Sequence, residues 1–111
     1  MSSRHIRLVL VTFPKKSEYL EFVRGMVEKR LAAGVNVVFV NSIYWWRGGV
    51  EEAEEVLLVI KTSAEAVESL KDFILRNHPY EVPQIIVISP EDVHQPYLAW
   101  VLENTAADRK Q

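Results

Sequence analysis

Residues Val35 to Thr62 read VNVVFVNSIYWWRGGVEEAEEVLLVIKT, two arms on either side of Arg47-Gly48-Gly49. The first arm is rich in β-branched and aromatic side chains, which suit an extended chain. The glycines supply the backbone freedom of a tight reversal. The second arm returns acidic at first and apolar later. Each arm is about 12 residues, roughly twice the usual strand length. A ribbon that long is expected to reach beyond its own domain. Neighbouring strand residues point to opposite faces, so Trp45 and Trp46 place a large ring on each side of it. Both sides then need a cover.

Working outward, Ile6 to Phe13 reads as a short strand buried on both faces. Ser17 can cap a helix whose stripe is Leu20, Val23, Val27 and Leu31, with Gly34 as its terminator. After the ribbon, Thr62 and Glu65 match a capping box, and Val67, Leu70, Phe73 and Ile74 form the inner stripe of a second helix. That helix is expected to end near Asn77, because Pro79 disfavours helical geometry at His78. Val82 to Ser89 reads as a last strand, and Pro96 to Leu102 as a closing helix with Pro in its first turn. The order β-α-β-β-α-β plus a helix predicts an α+β, ferredoxin-like sandwich. One domain is expected over 1–111, with a frayed tail from about 104.

The chain has 111 residues, 49% hydrophobic and 25% charged, a globular balance, and its net charge is −2. Lys and Arg are scattered, so neither nucleic acid nor membrane is an expected partner. Two features point away from RNA in particular. The third strand carries four acids and no aromatic, where an RNA-recognition motif places rings and basic groups. There is no Cys, which removes disulfides, thiolate metal sites and Cys nucleophiles together. With no span-length apolar run, the expected location is cytoplasmic. None of the G-x-S-x-G, H-E-x-x-H, P-loop or G-x-G-x-x-G patterns occurs, and the expectation is a protein that is not an enzyme.

Three groups of residues remain as candidates. His78-Pro79-Tyr80-Glu81-Val82-Pro83 sets an imidazole, a phenol and a carboxylate between stiffening prolines. His78 and Glu81 suit Cu(II) or Zn(II), or else the prolines simply stop a helix and start a strand. Glu51, Glu52, Glu54 and Glu55 either gather a hard cation or form a solvated run that discourages edge pairing. Lys61, at the end of an apolar approach, is an anion partner or a snorkelling lysine.

SIYWWRGGVEEAEEVLLVIKT followed by NHPYEVPQIIVI resembles the CutA family, the divalent-cation tolerance proteins. The likeness runs from LVLVTFP at Leu8 through RLAAGVNVV to PYLAWVLE. It implies a homotrimer built through the long hairpin, with Tyr44, Trp45 and Trp46 at the interface. It implies metal, copper foremost, at His78 and Glu81, no required cofactor, and an intersubunit cleft walled by Trp46, Lys61, Tyr80, Tyr97 and Trp100. A resemblance to PII-type signalling trimers adds a second expectation, a sensor of a small anionic ligand held by Lys61. A stable scaffold for a protein partner is the third. The chain departs from the family pattern at Val11, Gly34 and Gln84, where many members carry Cys, Cys and an acid. Soft thiolate ligation of Cu(I) is therefore absent.

Overall fold

A computed structural model describes residues 5–16 and 18–105. The strands are β1 (Ile6–Pro14), β2 (Gly34–Trp46), β3 (Gly49–Ser63) and β4 (Ile86–Ile88). The helices are α1 (Tyr19–Glu28), α2 (Val67–Asn77) and α3 (Gln95–Glu103). The sheet runs β2-β3-β1-β4 with every neighbouring pair antiparallel, the expected split βαβ arrangement.

β2 and β3 pair without a break from Gly34↔Lys61 to Trp46↔Gly49. The reversal is therefore a two-residue loop, Arg47-Gly48, and Gly49 already belongs to the ladder. Both loop residues have positive φ, 51° and 83°. That is the turn whose twist matches the flanking strands, and it explains the glycine at 48.

The register sorts the side chains. Val9, Val11 and Phe13 of β1 align with Ile60, Leu58 and Val56 of β3 and with Val35, Val37 and Phe39 of β2. This row faces α1 and α2, and all of it but Phe39, which is exposed beside Tyr19, builds or packs against the main core with Phe22, Met26, Leu70 and Ile74. The opposite row, with Leu8, Leu10, Val38, Leu57, Val59 and Ile86, forms an apolar face of the sheet. Toward the ribbon Tyr80 reaches over Glu55 of that face, and α3 covers its other end. There α3 packs Leu98 and Val101 with Ile6 and Ala33, and a Cβ on Gly34 would come 3.3 Å from Trp100 Cη2.

Several local expectations are corrected. The buried stripe of α1 is Phe22, Val23 and Met26, while Leu20 is 58% exposed and Val27 also faces out. Phe22 stacks on Phe13 with centroids 4.4 Å apart, and this contact sets the rotation of the helix. The helix ends at Glu28, six residues before Gly34, and Arg30 takes the positive φ (63°) of the reversal. Ser17 lies outside the described residues. Thr62 caps nothing, because it is the penultimate residue of β3 and its hydroxyl donates to the Leu31 carbonyl at 2.6 Å. β4 is three residues, since 82–85 run as an irregular arm instead of pairing with β1. Asn104 and Thr105 are tied back to α3, and the rest of the expected tail lies outside the described residues. The second helix keeps its expected inner stripe, Val67, Leu70 and Ile74 buried with Phe73 packed against the core. It stops at Asn77, with His78 extended before Pro79.

Candidate functional site

Beyond β1 the β2–β3 ribbon continues alone, and the 79–84 loop rises beside it. Between them lies a cleft of about 810 Å³. Thr12, Ser42, Tyr44, Trp46 and Glu55 line it from the sheet, and Pro79, Tyr80, Glu81, Val82 and Gln84 line it from the loop.

At its floor Glu55 is only 4% exposed. The Ser42 hydroxyl donates to Glu55 Oε1 at 2.6 Å, and the Tyr80 hydroxyl donates to Oε2 at 2.6 Å. Burial, then the hydrogen bond to Glu55 and its negative charge, pushes the Tyr80 phenol far above its usual range, so it stays a donor. Glu55 stands in the run of four acids, yet it differs from the other three in being buried. Sequence reading named Glu55 only within the four-acid run, as a hard-cation candidate or a solvated residue, and missed Ser42. A hint was present, since Glu55 is the last acid before the apolar run Val56 to Ile60.

Behind Tyr80, the imidazole of His78 ties loop to sheet. The Tyr80 amide donates to Nδ1 at 3.0 Å, which leaves the proton on Nε2 to donate to the Thr12 carbonyl at 2.7 Å. The ring lies 4.9 Å from Phe13 and 4.9 Å from Tyr80. Burial lowers the His78 pKa, against the smaller upward pulls of the Thr12 carbonyl and of Glu55. A second proton on Nδ1 would face the Tyr80 N–H donor-to-donor. The sign follows. The unfolded chain binds that proton first, so the contribution is whole above about pH 6.5 and is lost as pH falls through the lower folded value. Urea midpoints measured down that range are expected to fall more steeply for the native chain than for His78→Gln. Parallel curves would leave His78 without this role.

The structure brings Trp46, Tyr80 and Glu81 into one cleft, with Tyr44 beside them and His78 at its back. Lys61, Tyr97 and Trp100 are elsewhere. Lys61 pairs with Gly34 at the other end of the ribbon, roughly 40 Å along the strands from Trp46 at about 3.3 Å per residue. Its ammonium donates to Asn36 Oδ1, and burial lowers its pKa. Tyr97 lies tilted against Trp100, centroids 5.4 Å apart, in that same region. A single chain thus offers two aromatic sites. The rings of the ribbon tip also divide. Trp46 turns to the cleft and is 42% exposed, whereas Trp45 on the other side has nothing over it and is 75% exposed.

A divalent ion needs several converging donors with free lone pairs. His78 has both nitrogens engaged in the loop tie, and Glu81, well exposed, lies 3.6 Å from the Arg47 guanidinium. Within one chain these two residues do not fit a closed metal site. Either His78 gives up the Tyr80 amide, or the remaining donors come from outside the chain.

The fold and this cleft define a ferredoxin-like domain with an extended aromatic hairpin and an acidic floor at its base. The family model described as CutA1 divalent ion tolerance protein matches residues 7–104, and the chain belongs to that family. The protein CutA of Homo sapiens is 44% identical over 101 residues, covering 90% of this chain and 56% of its own length. The chain spans little more than half of such curated relatives. The divalent cation tolerance protein of Thermus thermophilus superposes with a TM-score of 0.86 at 39% identity, over 91% of this chain and 99% of that one. The protein from Archaeoglobus fulgidus, described as a periplasmic divalent cation tolerance protein, gives a TM-score of 0.85 at 30% identity, over 89% and 97%. Among the described residues no helix is long and apolar enough to cross a membrane.

Proposed function

We propose that this chain assembles as a homotrimer and handles divalent metal, copper foremost, as a binding protein of the cytoplasm and not as an enzyme. The observation that carries the assembly is the apolar patch of Leu8, Leu10, Val38, Leu57, Val59 and Ile86 on the sheet face away from α1 and α2, together with the exposed rings at the ribbon tip. Apolar surface on that scale favours burial against another copy. Family membership supports the metal reading. With His78 held in the loop tie, copper is expected to bind through a site shared between copies, at Glu81 and an imidazole released from Tyr80.

Two measurements test this. Sedimentation of the purified chain is expected to give three times the chain mass. Calorimetric titration with Cu(II) is expected to show saturable binding that His78→Ala abolishes. A monomer in the first, or copper uptake indifferent to the substitution in the second, removes the corresponding half. The cleft favours a second reading, a small-molecule sensor. Lys61 does not line the cleft, so an anion held by that lysine would occupy a different place from a ligand held there.

A further inference from the structure

Buried charges in proteins are paired with an opposite charge or hold an ion. Glu55 has two hydroxyl donors and, among the described residues, no Lys or Arg in an ion pair with it. Each of its oxygens keeps a lone pair beyond the one that Ser42 or Tyr80 uses. That remaining capacity lies at the edge of a cleft walled by the rings of Tyr44, Trp46 and Tyr80.

The lip of the same cleft shows what such surroundings accept. The Arg47 guanidinium lies 5.1 Å from the centroid of the Trp46 ring and 3.6 Å from a Glu81 oxygen. An aromatic face and a carboxylate thus already hold an organic cation at the rim. Deeper in, the same pairing recurs with Tyr44, Tyr80 and Glu55, and among the described residues no Lys or Arg lines that part of the cleft. A bare metal ion suits this inner position poorly, since Glu55 is its only carboxylate and His78 has no free nitrogen. An N–H cation with a carbon chain suits it well, gaining charge-assisted hydrogen bonds at one end and ring faces along its length.

We propose that the cleft binds an organic cation, an alkylammonium or guanidinium group, with its charge on Glu55 and its chain along Tyr44, Trp46 and Tyr80. The inference rests on the small-molecule reading of the cleft and is independent of copper. A free amine and a Lys or Arg side chain of a second copy share this chemistry.

The test is a calorimetric titration of n-butylguanidine in the presence of EDTA, with n-butylurea as the neutral compound of the same shape. Because the chelator removes metal, failure here is distinct from failure of the copper titration. Saturable binding of the guanidine, with little of the urea, is expected, and Glu55→Gln is expected to lower its affinity roughly tenfold or more. If that variant does not fold, Tyr44→Leu, which keeps the carboxylate and trims a wall, is expected to weaken binding several-fold. If a second copy fills the cleft, the guanidine binds weakly to the native chain. In that case Glu55→Gln loosens self-association and flattens its dependence on salt, which supports the same assignment with a side chain as occupant. Guanidine and urea binding alike, with self-association of Glu55→Gln unchanged, would overturn the proposal.

Discussion

Val59→Asp is expected to leave the chain folded and unable to self-associate. Val59 lies on β3 opposite Asn36 of β2 and Leu10 of β1, on the sheet face away from α1 and α2. In a lone chain an aspartate there meets water and costs little. Pressed against the same face of another copy, it is a buried carboxylate without a partner, and such a charge costs on the order of 3–5 kcal/mol. Because each copy carries the substitution, the penalty recurs at every contact. Sedimentation should then report the single-chain mass while the far-ultraviolet circular dichroism keeps its native shape. An unchanged assembly would show that the proposed trimer uses some other surface.

That variant also makes the second large effect measurable, because folding no longer depends on protein concentration. In the Val59→Asp background, Leu58→Ala is expected to lower stability by roughly 2–5 kcal/mol, the range for Leu deletions in well-packed cores. Leu58 is fully buried, aligned with Val11 on one side and Val37 on the other. Leu57→Ala, one residue earlier and on the opposite face, should cost far less in the same background. Urea midpoints of the two variants compare them directly. Equal losses would mean that the strand is out of the stated register, since a slip of one residue exchanges the faces.

Much of this architecture was legible in the residues. The alternation across Val35 to Thr62, the Gly after Arg47 and the proline after His78 each act through local backbone preference, and local preference can be read along a chain. The phase of α1 could not be read that way. Its apolar residues support two overlapping stripes, one through Leu20 and Val27 and one through Phe22 and Met26. The stacking of Phe22 on Phe13, from a different element, selects the second. The expected last strand shrank for a similar reason, because β1 offers β4 only the partners Leu8, Val9 and Leu10. At the site, Trp46, Tyr80, His78 and Glu81 stand out by residue type. Ser42, Glu55 and Tyr80 are 13 and 25 residues apart, and only the strand register together with the loop path brings them together. Metal ligation by His78 and Glu81 rests on residue type and on the family resemblance, whereas the hydrogen bonds of His78 are a matter of three dimensions.

The close approach of Trp100 to Gly34 bears on any attempt to give this chain a soft-metal ligand. Position 34 is where the family pattern often carries Cys, and here a Cβ would stand 3.3 Å from the Trp100 indole, so that ring would have to give by a few tenths of an ångström. The two positions form a lock in which bulk on one strand end is traded against bulk on the closing helix. Installing a thiol is therefore a two-site exchange. Cys at 34 alone would crowd the Trp100 ring and press on the seat of α3, whereas Cys at 34 with a smaller residue at 100 would relieve that contact.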